Sequence, residues 1–314
     1  MEDVIIIGCG PIGLYGATLC ALHNLKGIVL ESREEIGGQL TALYPEKAIV
    51  DLPGFDSIKA KDFIQNLYAQ YASKDNRIPI HLHEKVVGFR KEDDAYLIET
   101  DKGSYLTKTV LITTGMGSFS PRKIGLPNEG EFENILYSCK DVSRFAGCDV
   151  AVLGGGDSAI DLSLLIAPVA KSVAIVHRRP EFRGQSYNVE RMEKEGVSIY
   201  KNYAVSELKH EDSRIGLILK ENANGSRIAL NCDYILVQYG QVPSSDSFDL
   251  EKENNLIKTG ASCQTSKENI FASGNIAVYE GKVKNLTTGF GEVNAAVCQI
   301  DRVVHPDKNI APHF

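Results

Sequence analysis

The sequence predicts an α/β protein built from two Rossmann-like, three-layer (ββα) nucleotide-binding domains, and three observations predict it. The first is Val4-Ile5-Ile6-Ile7 running into Gly8-x-Gly10-x-x-Gly13. The second is the same arrangement met again, where Asp149-Val150-Ala151-Val152-Leu153 runs into Gly154-Gly155-Gly156-Asp157-Ser158-Ala159. The third is a shared spacing: Gly8 to Glu31 and Gly154 to His177 each span 23 positions, and each span ends just after an apolar run. A strand, a tight glycine turn and a helix start let backbone N–H groups and the helix dipole meet a pyrophosphate. The end of the next strand then reaches a ribose.

Each element follows from local pattern. Residues 14–25, rich in Ala, Leu and Cys, read as the first helix. Ile36-Gly37-Gly38-Gln39-Leu40 reads as a glycine-containing loop, and Leu43-Tyr44-Pro45 and Asp51-Leu52-Pro53-Gly54-Phe55 read as turns. Residues 61–73 look helical. Short alternating runs over 80–106, punctuated by Glu92-Asp93-Asp94 and Asp101-Lys102-Gly103, read as a small antiparallel meander. Residues 109–115 form a buried strand ending in Gly115, and 117–130, with Pro121 and Pro127, form a connection. After the second glycine turn, 234–240 and 269–275 repeat the pattern of a strand ending in a turn, with a short strand at 257–259 between them. Thr288-Gly289-Phe290-Gly291-Glu292 then leads into a helix running to about 304, with its start placed near Gly291. The segment 305–314 has two prolines and little helical character.

Composition narrows the class. A chain of 314 residues holds two ordinary domains. The net charge of −7 argues against a general nucleic-acid binder. No apolar run reaches the length of a membrane span, and Met1-Glu2-Asp3 leads straight into the first strand, so a cytoplasmic location is expected. Seven cysteines, with no CxxC and no metal-ligand spacing, read as reduced thiols, mostly small core residues. No metal site is expected.

The two strand ends differ in charge, and that difference has chemical meaning. Glu31 can hold a ribose hydroxyl. His177-Arg178-Arg179, with Arg183 close behind, instead favours a 2′-phosphate, which selects NADPH over NADH for the second turn. Two nucleotide units with no sizeable substrate domain imply two nucleotides used together, one resident and one exchanging. That is the plan of a flavoprotein pyridine-nucleotide oxidoreductase.

Over its whole length the chain resembles the thioredoxin-reductase-like flavoproteins. The resemblance rests on the two glycine turns, Thr113-Thr114-Gly115, His177-Arg178-Arg179 and Gly274-Asn275. It implies a discontinuous FAD domain, 1–115 with 243–314, and an inserted NADPH domain, 116–242. A narrower similarity, to the thioredoxin-reductase-type ferredoxin/flavodoxin–NADP+ reductases, lies in Gly37-Gly38-Gln39-Leu40-Thr41-Ala42-Leu43-Tyr44-Pro45-Glu46-Lys47, Tyr279-Glu280-Gly281-Lys282 and Thr288-Gly289-Phe290-Gly291-Glu292.

That similarity implies FAD along Gly8, Gly10, Pro11, Ile12, Gly13, Glu31, Gly38, Gln39, Leu40, Tyr44, Val86, Gly115, Phe119, Asn275 and Thr288. It implies NADPH along Gly154, Gly155, Gly156, Asp157, Ser158, Ala159, His177, Arg178, Arg179 and Arg183. Tyr44 would stack on one flavin face and His313, with Phe314 adjacent, would cover the other. No acid–base residue is required for hydride transfer. The helix dipole near Gly291 would favour a reduced flavin anion. A ferredoxin or flavodoxin is the implied electron carrier, and a homodimer the implied assembly. Lys47, Lys282 and Lys284 are candidates for a basic docking face.

Three departures stand out. A redox CxxC of the thioredoxin-reductase kind is absent, and Cys139 and Cys148 are too far apart in sequence to form one. Asn275 replaces the usual acid of the late FAD motif. The chain ends at Phe314, where family members often continue. Two other readings fit the same residues: an NADPH-dependent flavoprotein reducing a quinone, free flavin or small disulfide, and a non-catalytic nucleotide-binding sensor.

Overall fold

The computed structural model describes residues 1–117, 120–184, 186–242 and 248–308. The chain divides into two compact units, Met1–Phe119 with Pro243–Phe314, and Ser120–Val242.

The first unit begins with β1 (Glu2–Ile7), α1 (Pro11–Leu22), β2 (Gly27–Leu30) and a single helical turn, α2 (Gln39–Ala42). The glycine-containing loop expected after the second strand therefore holds one short helix. A small ribbon of β3 (Ala48–Ile49) and β4 (Ile58–Lys59) precedes α3 (Ala60–Ala72). Then come β5 (Ile80–His81), β6 (Val86–Glu92), β7 (Ala95–Thr100) and β8 (Ser104–Ile112). The sequence divides 80–115 into a meander and a separate buried strand, but β8 is one continuous strand that serves both. Its first residues pair antiparallel with β7, and Thr107 to Ile112 pair parallel with β1.

The second unit follows with β9 (Ser120–Pro121), β10 (Ile135–Leu136), β11 (Asp149–Leu153), α4 (Asp157–Ile166), β12 (Ser172–His177), α5 (Ser186–Lys194) and β13 (Ser198–Lys201). A meander of β14 (Tyr203–Glu211), β15 (Arg214–Glu221) and β16 (Arg227–Cys232) leads to β17 (Tyr234–Val237) and β18 (Gln241–Val242). The chain then returns to the first unit with β19 (Lys252–Glu253), β20 (Leu256–Lys258), β21 (Ile270–Ala272), β22 (Ala277–Val278) and α6 (Leu286–Val304).

Both units are layered by the period-two alternation of their strands. In the first, the sheet order is β5-β2-β1-β8-β7-β6, and β21 adds to β8. Val4 and Ile6 of β1 face the side packed by Leu14, Ala17, Phe63, Ile64, Val293 and Val297 of the helices. Ile5 and Ile7 face Tyr96, Ile98, Ile257 and Ile276 on the other. In the second, the parallel order is β10-β17-β11-β12-β13. Val150 and Val152 pack with Ile160, Leu164 and Met192, while Ala151 and Leu153 pack with Ile215, Leu217 and Leu219 of the meander. Strands buried on both faces explain why β1 and β11 read as unbroken apolar runs.

Helix α6 begins at Leu286, capped by Asn285, whose side chain accepts from Thr288 N–H at 2.8 Å. This corrects the expected start near Gly291. Gly289 lies inside this helix, and a Cβ there would lie 2.7 Å from Ile12 Cδ1, so its role is to admit the start of α1. No described helix is long and apolar enough to cross a membrane.

Candidate functional site

The first candidate cradle lies at the C-terminal ends of β1 and β2. Gly8 N–H donates to Leu30 O at 2.8 Å, so the ladder closes before the chain turns. A Cβ on Gly13 would sit 2.0 Å from Gly8 O and 2.6 Å from Thr113 Oγ1. Only glycine lets α1 start this close to the turn. At Gly10 a Cβ would meet only Gly38 Cα, at 4.0 Å, so the space in front of the turn is open. Gly37 N–H donates to Cys9 O at 2.8 Å and brings the Gly38-Gln39-Leu40 segment beside that opening. Pro11 occupies the first turn of α1, Gly10 is its N-cap, and no side chain caps it. Its first-turn N–H groups remain to meet an anion.

Glu31 is buried and organises this cradle from within. Its Oε2 accepts Cys9 N–H at 2.7 Å and its Oε1 accepts Arg33 N–H at 2.9 Å. A carboxylate accepts about four hydrogen bonds, so acceptor capacity remains for a ribose. Thr113, whose part the glycine pattern alone does not show, donates its hydroxyl to Gly8 O at 2.8 Å. The buried hydroxyls of Thr41 and Thr114 have no hydrogen-bond partner among the described residues. Open glycine turns, an uncapped helix start, an inward acid and unpartnered hydroxyls together fit a bound dinucleotide.

The remaining sequence-predicted residues of this unit fall around it. Tyr44 is half-buried just after α2, Val86 is buried at the start of β6, and Gly115 follows β8. Asn275 is half-buried in a short 3-10 turn, Gly274–Ile276, and Thr288 lies in the first turn of α6. Phe119, His313 and Phe314 lie outside the described residues. Lys282 does not lie on a docking face. Its side chain is only 4% exposed and is paired with Glu292 at 2.6 Å. Lys284 is exposed and Lys47 half-buried.

The second cradle repeats the plan with different chemistry. Gly154 N–H donates to Val176 O at 2.9 Å, and α4 starts at Asp157 with Gly156 as an uncapped N-cap. Ser158 and Ala159 complete its first turn. A Cβ on Gly155 would lie 2.2 Å from His177 Nδ1, so the imidazole lies directly behind the glycine turn. His177 is buried, stacks on Phe182 with ring centroids 5.4 Å apart, and donates from Nε2 to Glu181 O at 3.0 Å. Burial and repulsion from Arg183, Arg179 and Arg178, opposed only by the Glu181 carbonyl, push it below the usual imidazole range. A neutral ring with its proton on Nε2 satisfies this geometry.

His177 therefore organises the loop from inside, while the charge expected of the cluster comes from the arginines. Arg178, Arg179 and Arg183 are exposed. Arg183 N–H donates to Gly155 O at 2.7 Å, which ties the arginine loop to the glycine turn. Asn222 Nδ2 donates to Arg178 O at 2.7 Å, and Asn202 N–H to Arg179 O at 3.1 Å. Phe182 was not predicted; an aromatic five residues after His177 carries no motif signal of its own. The open space at Gly156, where a Cβ would meet nothing within 4 Å, and exposed guanidinium groups at the strand end fit a dinucleotide bearing a 2′-phosphate.

The family model for pyridine nucleotide-disulphide oxidoreductases matches residues 2–299. The chain belongs to this family. Among its relatives, a ferredoxin–NADP reductase of Acholeplasma laidlawii is 40% identical over 312 residues, covering 98% of this chain and 96% of that protein. A ferredoxin–NADP reductase of Enterococcus faecalis is 39% identical over 317 residues, covering 99% and 94%. Among solved structures, Lactococcus lactis thioredoxin reductase in its FR conformation has a TM-score of 0.86 at 26% identity, covering 97% of this chain and 99% of that one. As a member of this family the chain has the thioredoxin-reductase-type fold. Its described cysteines are all free, and no CxxC occurs in the sequence.

Proposed function

We propose that this protein is an FAD-dependent oxidoreductase that takes hydride from NADPH and delivers single electrons to a ferredoxin or flavodoxin. The observation that carries the reading is a pair of open glycine turns with opposite strand ends: buried Glu31 after the first, exposed Arg178, Arg179 and Arg183 after the second. FAD belongs with the unit containing Gly8, Gly10 and Gly13, and NADPH with the unit containing Gly154, Gly155 and Gly156. Bound FAD supplies the hydride acceptor and the release of electrons one at a time. The chain supplies binding, orientation and shielding.

Gly8 to Gly13 and the α1 start hold the pyrophosphate, and Glu31 the ribose. Gly38, Gln39 and Leu40 line the same opening, and Tyr44 would stack on the flavin. Arg178, Arg179 and Arg183 read the 2′-phosphate of NADPH, in a loop that His177 and Phe182 keep in place. The relatives named ferredoxin–NADP reductase support an external one-electron carrier. The thiols support it too. Burial raises Cys139 to about 11 and Cys20, Cys232 and Cys263 to about 12, which leaves these thiols protonated and inert. Reduced thiols also agree with a cytoplasmic location, and the resemblance with a homodimer. Lys47 and Lys284 are the remaining candidates for the carrier's docking face.

Anaerobic stopped-flow tests this reading. NADPH should bleach the visible flavin band of the purified protein, and oxidised ferredoxin or flavodoxin should restore it. No bleaching rules out the enzyme; bleaching with no recovery by either carrier rules out the acceptor.

A further inference from the structure

Two buried charges of the first unit have no part in the cradle as described above. The Lys282 ammonium lies 2.6 Å from Glu292 Oε1 and donates to the Gly274 carbonyl at 2.7 Å. Glu292 Oε2 accepts Gly274 N–H at 2.7 Å, and Tyr279 OH donates to Glu292 Oε1 at 2.9 Å. The two side chains are 4% and 6% exposed. Both polar groups of a single residue, Gly274, are thus gripped by one ion pair. Desolvation offsets much of the Coulomb gain of such a pair, so stability alone is a weak reason for it.

What the pair holds is specific. Gly274 has φ +75°, and a Cβ there would meet Ile12 Cγ1 at 3.3 Å, so the turn rests against the start of α1. Gly274 O also accepts Ala277 N–H, which closes the turn. An ammonium on this carbonyl polarises the Gly274–Asn275 peptide and makes Asn275 N–H a stronger donor. Asn275 is half-buried.

We propose that Lys282 and Glu292 are positioning residues for the bound FAD. They fix the Gly274–Asn275 turn beside the α1 start and strengthen its N–H as a donor to the dinucleotide, at a place where residue 275 itself carries no charge. The proposal rests on the FAD reading of this unit.

Equilibrium FAD binding to the apoprotein, followed by quenching of flavin fluorescence, tests it alongside the thermal unfolding of the same apoproteins. Lys282→Met alone leaves a buried carboxylate unpaired, so the informative variant is Lys282→Met with Glu292→Gln, which keeps an acceptor for Gly274 N–H. It should bind FAD at least about tenfold more weakly than wild type while its apoprotein unfolds in one cooperative transition. Lys282→Arg should restore affinity to within about threefold, a rescue that a purely structural role for the pair would not require. Equal FAD affinity in the folded double variant overturns the proposal. So does Lys282→Arg binding as weakly as the double variant. A wild-type apoprotein that takes up no FAD overturns the FAD reading itself, and the proposal with it.

Discussion

Replacing Arg178 and Arg179 together by alanine should convert a selective NADPH site into an indifferent one. Both side chains are exposed and form no ion pair among the described residues, while their carbonyls are held by Asn222 and Asn202. The substitution removes two guanidinium groups and leaves the backbone path of the loop intact. Its cost to folding should stay within about 0.5 kcal/mol, as for ordinary surface changes. Hydrogen bonds to a charged group contribute about 1.5–3 kcal/mol each. Part of that is lost to solvent here, so the pair should contribute about 2–3 kcal/mol, or ~30- to 150-fold in Kd for NADPH. NADH lacks the 2′-phosphate and should change by no more than about threefold. Parallel titrations of both nucleotides, at one ionic strength, measure the difference. Equal losses for the two would refute the 2′-phosphate assignment, and an unchanged NADPH affinity would refute the placement of the nucleotide on this loop.

Two further outcomes follow from the geometry. Gly13→Ala puts a methyl group 2.0 Å from Gly8 O, a backbone atom that cannot rotate away, so the purified protein should carry little or no FAD. The flavin-to-protein ratio by absorbance checks this, and a normal ratio would contradict the first cradle. Asp301 is fully buried in the first unit. Burial raises its pKa, but hydrogen bonds from His23, Lys308 and His305 outweigh this and hold it at about 2, against an ordinary 3.8. A depressed carboxyl stabilises the fold above the unfolded pKa and loses that contribution as pH falls through the folded one. About 2 kcal/mol should therefore disappear between about pH 4 and pH 2, and Asp301→Asn should remove that segment of the pH dependence. Urea unfolding from about pH 5 to 2 measures it, and parallel curves for the two proteins would contradict the assignment.

The two glycine turns, their strands and the spacing to Glu31 and His177 were legible because backbone geometry dictates them. Glycine is required where α1 meets Gly8, and apolar runs are required where β1 and β11 are buried on both faces. Other features depend on tertiary contacts that local pattern does not carry. Gly289 and Gly291 look like a helix boundary, yet α6 passes through both because Gly289 faces Ile12. Ser104 to Ile112 looks like two strands, since its two halves have different partners. His177 shares a basic tripeptide with two exposed arginines, but its strand register turns it inward beneath Gly155. Lys282 reads as surface charge because its partner, Glu292, is a turn of chain and part of a helix away.

The central claim is that electrons enter from NADPH and leave to an external one-electron carrier with no dithiol of the chain between. Anaerobic turnover with NADPH, run in parallel with ferredoxin draining to cytochrome c and with thioredoxin draining to an aromatic disulfide, tests it most directly. Sustained turnover with ferredoxin alone, unchanged by Cys139→Ser with Cys148→Ser, is the predicted result. Sustained turnover with thioredoxin that those two substitutions abolish would contradict it.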